Sequence, residues 1–200
     1  MNDPIIIISM PRSGSSMTAG LFAEHGVWTG PCRPPGPQNA KGHFESLPIR
    51  DEIIKTVGAI VQKGVLAPEV KGWRGRVENI IRKAGYKEGP WLFKSSAMYY
   101  PLWHEFNPTF VCVRRNLEAI EQSGKATGYF RRPKAIQPHV KAMDYVRDNM
   151  GGIDVFSDEV IAGDYSSLER AFDAAGLEMD ERIVSDFVDP SLWHYKQGLK

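Results

Sequence analysis

Residues 4–16 (PIIIISMPRSGSS) constrain the fold more than any other segment. Ile5, Ile6, Ile7 and Ile8 form a short apolar run of β-branched residues, which suits a strand buried on both faces of a parallel sheet. The run gives way to a turn of mostly small residues, from Met10 to Ser16. Residues 17–25 then carry Met17, Leu21 and Phe22 at helical spacing, and Gly26 is a fitting stop. Strand, small-residue loop and helix, in that order, set the exposed N–H groups of a helix beside a loop with room for an anion.

The rest of the chain repeats the alternation. Further strands are expected at 91–93, 109–113 and 160–162, and helices at 48–62, 75–84, 117–125, 138–149, 166–175 and 180–187. Pro48 and Pro138 fall in first helical turns, and Gly151-Gly152 lies just past a helix end. Residues 29–42 hold four prolines and three glycines and form neither helix nor strand; a loop of this length is a candidate lid or binding loop. The alternation predicts an α/β fold, three-layer, with a mainly parallel sheet flanked by helices. At 200 residues, one domain over 1–200 is expected.

Charge narrows the function classes. With 25 Lys+Arg against 24 Asp+Glu, the surface is not built as a nonspecific nucleic-acid coat, though a local cationic pocket fits within that balance. Cys32, in the Pro-rich loop, and Cys112, in an apolar run, form neither a disulfide framework nor a metal-ligand pattern, so no metal is expected. No apolar stretch approaches the roughly 20 residues that span a bilayer. The isoleucine run lacks the flanks of a secretory signal. A cytoplasmic protein with no membrane or nucleic-acid partner is the expectation.

Ligands of open α/β folds bind beyond the carboxyl ends of the strands. Four polar points fall there: Pro11 to Ser16, Lys94-Ser95-Ser96, Arg114-Arg115 and Asp164-Tyr165. Read alone, Ser13-Gly14-Ser15-Ser16 is a plain helix cap. Arg12 inside the loop and the buried strand before it favour anion binding. The loop departs from the ATP-type pattern GxxxxGK(S/T), because residue 9 is serine and no lysine precedes Ser15 or Ser16. That counts against a P-loop kinase.

Residues 7–21 (IISMPRSGSSMTAGL) resemble the 5′-phosphosulfate loop of sulfotransferases that use 3′-phosphoadenosine 5′-phosphosulfate (PAPS), whose usual form is a strand followed by P-(K/R)-S-G-(S/T)-(S/T). The second signature of that family is a strand ending in Arg, with a Ser eight residues later. Here residues 110–116 (FVCVRRN) lead to Ser123, a spacing that selects Arg115 over Arg114. Residues 39–45 (NAKGHFE) resemble an N-x-x-G-(Y/F/H)-(W/F)-E stretch of small bacterial-type members. Residues 163–168 (GDYSSL) resemble the Y-E-D-L segment near the adenine, with serines replacing the acidic pair. The RKG element of many eukaryotic cytosolic members is absent.

The resemblance implies a PAPS-dependent sulfotransferase with a P-loop-like fold. By it, Arg12 faces the transferring sulfuryl group, Ser13, Gly14, Ser15 and Ser16 hold the 5′-phosphate, Arg115 and Ser123 grip the 3′-phosphate, and Tyr165 lies near the adenine. Lys94 is a candidate sulfonate contact. Many members place a histidine two residues after that lysine, but this chain has Ser96, which is no base at neutral pH. Glu45, matching members that use a glutamate after the first helix, is the favoured base; His43 competes with it. The bland alternative for Glu45 is a charge at the start of the next helix.

The acceptor implied is a hydroxyl or amine of a small molecule or carbohydrate. Residues 29–42, Met98-Tyr99-Tyr100 and Tyr129-Phe130-Arg131-Arg132 are the candidates to recognise it, and His194 reaches the site only if its segment folds back. A noncatalytic nucleotide-binding protein on the same fold is the competing reading, motivated by Ser96.

Overall fold

The structure is a computed structural model and describes residues 2–36, 39–126 and 136–193. Its centre is a four-stranded sheet of β1 (Ile5–Ser9), β2 (Leu92–Ser96), β3 (Thr109–Arg114) and β4 (Ile153–Phe156), in the order β2-β1-β3-β4. Every pairing is parallel, with Ile5 opposite Leu92 on one side and Thr109 on the other. β1 is interior, and all five of its residues are buried. The isoleucine run has this cause: neither face of the strand meets water.

Alternate side chains of β1 feed two cores. Ile6 and Ile8 join Ile49, Ile53 and Val57 of α2 (Leu47–Val61), Trp73, Val77 and Ile81 of α3 (Trp73–Lys83), and Trp103 of the 3₁₀ segment Ala97–Trp103. Met143 and Val146 close this layer. They belong to α5 (Ile136–Met150), which follows α4 (Leu117–Ala126). Ile5 and Ile7 point the other way. They meet Leu21 and Phe22 of α1 (Ser15–Glu24). After α6 (Ser157–Ala162) come α7 (Ser166–Ala174) and α8 (Glu181–Phe187), which supply Leu168, Phe172 and Val184 to the same core. Phe22 and Phe172 stack at 4.3 Å. Each such side chain contributes about 1.5–3 kcal/mol by leaving water. The result is a three-layer α/β fold with a parallel sheet.

One expected strand is absent. Residues 160–162 end α6, and the fourth strand is Ile153–Phe156 instead. β4 escapes a hydrophobicity reading because only Val155 of its four residues is buried. Its Asp154 is held by Arg114 of the neighbouring strand at 2.5 Å. Gly152 permits the approach before it, since a Cβ there would lie 2.9 Å from Val146 and 3.1 Å from Cys112. Asp158 and Glu159 then suit the first turn of a helix, where the dipole favours acidic residues. A smaller shift affects Lys94, Ser95 and Ser96, which lie within β2 rather than beyond its end.

Among the described residues, no helix is long and apolar enough to cross a membrane.

Candidate functional site

The loop after β1 is bent by two left-handed residues, Arg12 at φ 70° and Gly14 at φ 92°. Gly14 is required twice over. Its backbone favours glycine, and a Cβ would come within 2.6 Å of both the Ser157 hydroxyl and the Trp193 ring. Ser157 opens α6 and braces the loop by donating to the Ser13 carbonyl at 2.7 Å. Among the described residues, the buried hydroxyls of Ser13 and Thr18 find no hydrogen-bond partner. Each such group costs about 1–3 kcal/mol.

The two distant signatures converge here. Arg12 Nε donates to Ser123 Oγ at 2.9 Å, and Arg115 Nη1 donates to the Arg12 carbonyl at 3.1 Å. Arg114, by contrast, is committed elsewhere: it pairs with Asp154 at 2.5 Å and Asp144 at 2.9 Å. Of the two adjacent arginines, it is Arg115 that reaches the loop after β1. Burial lowers the Arg115 pKa, with Arg12 adding to the effect and Asp158 opposing it. A guanidinium stays cationic regardless. Asp158 lies 3.6 Å from Arg115 Nε and accepts from the Trp193 indole at 3.0 Å, while the Trp193 ring covers the Arg115 guanidinium at 4.0 Å. Arg12, Gly14, Ser15, Ser16, Arg115 and Ser123 line a cleft of about 180 Å³, closed by residues from 39–42 and from 187–193.

Glu45, His43 and Lys94 form a second group. Lys94 Nζ lies 3.9 Å from Glu45 Oε2, and its side chain is 12% exposed. Burial pushes its pKa below the ordinary lysine value, against the pull of Glu45 and Cys32. His43 is lowered by burial first, then by Arg33 and Lys94, with Glu45 opposing. Phe44, between them, holds a left-handed backbone at φ 49° and packs edge-on to Phe187 at 6.1 Å. That conformation costs of order 1–3 kcal/mol in a non-glycine residue, and it turns the chain between His43 and Glu45. Ser16 Oγ lies 3.5 Å from the His43 carbonyl and so touches both groups.

Tyr165 is not brought in. It sits at the start of α7, partly buried against the apolar core, and does not line the cleft. The expectation for it came from the resemblance of residues 163–168 to the Y-E-D-L segment, and the strand expected just before it, at 160–162, is helical. Ser96 accepts from the Met98 N–H at 3.2 Å and so caps the 3₁₀ segment. Met98 is buried, and Tyr100 stacks on Tyr145 at 5.6 Å. Tyr129, Phe130, Arg131, Arg132 and His194 lie outside the described residues, as do residues 37 and 38 of the Pro-rich loop. The described part of that loop is pinned, with Cys32 bridged to Ser46 and Leu47 N–H donating to the Pro31 carbonyl at 2.9 Å.

Lys41, Ser157, Asp158 and Trp193 were missed by sequence reasoning. Lys41 falls at an open position of the stretch 39–45, the other three lie in no motif, and Asp158 shows only as an acidic residue in a first helical turn. Among the described residues, no group of three or more His, Cys, Asp or Glu side chains is placed to hold a metal ion.

No family model matches the chain, and no curated protein does. Solved structures do. The sulfotransferase domain of the Synechococcus PCC 7002 olefin synthase is 13% identical with a TM-score of 0.55, over 100% of this chain and 89% of that one. The sulfotransferase domain from the curacin biosynthetic pathway is 11% identical with a TM-score of 0.55, over 100% of this chain and 93% of that one. The chain thus has the fold of sulfotransferase domains across its whole length.

Proposed function

We propose that the protein moves a sulfuryl group from PAPS to a hydroxyl or amine of a small-molecule or carbohydrate acceptor. The observation that carries this is the convergence of Arg12, Ser123 and Arg115, from three separate elements, on one glycine-bent loop at a helix start. A nucleotide with two separate phosphate positions fits that donor set. Ser15 and Ser16, which line the cleft at the start of α1, add hydroxyl donors for an anion there. The fold shared with sulfotransferase domains favours sulfuryl over phosphoryl transfer.

PAPS, when bound, supplies the activated sulfuryl group. Ser13 to Ser16 and the first turn of α1 would hold its 5′ end, and Arg115 with Ser123 the 3′-phosphate. Arg12 balances negative charge near the transferring group, and such stabilisation contributes most of the acceleration in group transfers of this kind. Glu45 would take the acceptor proton, with Lys94 beside it. His43 is the competing base, being neutral and hence able to accept a proton at pH 7.

The test is ligand-dependent melting. Adenosine 3′,5′-bisphosphate at ~100 times its Kd should add roughly 2.7 kcal/mol, or about 5–10 °C for a chain of this size, and ATP much less. Equal shifts for both nucleotides, or none, would overturn the reading. Ser96 at the end of β2 favours one rival, a noncatalytic nucleotide binder. Labelled PAPS that binds tightly, yet sulfates no acceptor across hydroxyl and amine panels, would establish that rival.

A further inference from the structure

Trp193 rests on the arginine that the functional reading assigns to a phosphate. Its ring covers the Arg115 guanidinium at 4.0 Å, and its Nε1–H donates to Asp158 Oδ1 at 3.0 Å. The far edge of the ring touches the loop after β1, so that a Cβ on Gly14 would lie 2.6 Å from it. Asp158 stands 3.6 Å from Arg115 Nε, and its other oxygen accepts the Asn116 N–H at 2.9 Å. Ring and carboxylate both cover the Arg115 side chain, which is only 4% exposed.

Neither partner is built into a core. The Asp158 side chain is 40% exposed, and Trp193 follows the short 3₁₀ turn Pro190–Leu192 beyond α8. Both satisfy a cation, the indole through its negative face and the carboxylate through its charge. A phosphate offers that guanidinium a charge-assisted fork, which is stronger than either. It cannot share the guanidinium edge with Asp158 without like-charge repulsion, and moving Asp158 aside breaks the hydrogen bond that holds the indole.

We propose that Trp193 and Asp158 form a displaceable clasp on Arg115, opened by a nucleotide whose second phosphate takes that guanidinium. The nature of the nucleotide rests on the function proposed above; the clasp rests on the contacts alone. It makes the second phosphate a condition of entry. A ligand that fills only the loop after β1 leaves the Arg115–Asp158 pair closed and gains nothing from it.

Two measurements on the full chain separate the clasp from the function. The first needs no nucleotide: phenylglyoxal labelling of Arg115, followed by peptide mass spectrometry. Trp193→Ala and Asp158→Asn should each raise the Arg115 rate roughly tenfold. Arg114, held by Asp144 and Asp154, should keep its rate in both variants. An unchanged Arg115 rate would overturn the clasp.

The second measurement uses adenosine 3′,5′-bisphosphate, with adenosine 5′-monophosphate as the comparator. Trp73, Trp91 and Trp103 are fully buried and Trp28 packs edge-on to Tyr86 at 5.3 Å, so a ligand-induced emission change that vanishes in Trp193→Phe reports the clasp. We expect that change with the bisphosphate only, and about tenfold tighter bisphosphate binding by Trp193→Ala. Weaker binding by that variant would make Trp193 a ligand contact and end the proposal. Raised Arg115 labelling with no bisphosphate binding by any form would keep the clasp, remove its nucleotide trigger, and overturn the sulfotransferase reading.

Discussion

Arg12 and Ser123, 111 positions apart in the chain, are joined by a hydrogen bond of 2.9 Å from the guanidinium to the hydroxyl. The bond ties the loop after β1 to α4 and sets the two sides of the cleft against each other. Ser123→Ala deletes that hydroxyl without disturbing the helix. Bisphosphate affinity should fall roughly tenfold, the loss typical of one hydrogen bond to a charged group, as read by calorimetry. An unaltered affinity would remove Ser123 from the site.

Gly14→Ala tests the shape of the loop. The substitution meets a left-handed backbone at φ 92° and a 2.6 Å approach to the Ser157 hydroxyl. We expect a loss of about 1–3 kcal/mol, seen as a Tm lower by roughly 2–12 °C, together with loss of bisphosphate binding. A variant that melts like the parent would show that the loop bends by other means.

Lys94 gives a pH signature. Burial holds its folded pKa below the ordinary 10.5, with Glu45 and Cys32 opposing. Between the folded value and 10.5 the unfolded chain carries the extra proton, so this group makes stability rise with pH across that window. Lys94→Met should flatten the rise, which melts at successive pH values up to 10.5 would record. A rise of the same size in the variant would place its origin elsewhere.

The base is separable by its pH profile. Burial, aided by Arg33 and Lys94, keeps His43 below its ordinary 6.5, with Glu45 opposing. A His43 base would put the acid limb of kcat/KM under pH 6.5 and lose that limb in His43→Ala. We expect instead that Glu45→Gln lowers kcat by about 10²-fold while His43→Ala keeps the acid limb.

The cysteines differ in reach. Burial pushes the Cys112 thiol up to about 12, so it should resist alkylation at mildly alkaline pH until the chain unfolds. Rapid labelling of native Cys112, followed by intact mass, would contradict its place in the core.

The parts of this fold and site that were legible in the sequence are those that local chemistry encodes. The four isoleucines could only be a strand shielded on both faces, and Gly14 among serines marked the loop. Ser123 was singled out by the resemblance, whose second signature sets a serine eight residues after the strand-end arginine, and the structure puts both beside Arg12. β4 hid because its neutralising partner, Arg114, lies on another strand, and no window of sequence contains both. Trp193 and Asp158 hid for the same reason: their meaning comes from Arg115, reached only through the tertiary fold. The strand expected at 160–162 went astray because Val160 and Ile161 resemble a strand locally, whereas α6 buries Val160 and leaves Ile161 half-exposed.

The central place of β1 also sets a schedule. Its hydrogen-bonding neighbours, Leu92–Ser96 and Thr109–Arg114, are made long after it as the chain is synthesised. Until both arrive, the isoleucines have no sheet to join, and the loop they carry has no fixed floor. Nonlocal pairing of this kind is slow and leaves apolar surface open to aggregation. The first segment of the site to be translated is therefore among the last to be secured.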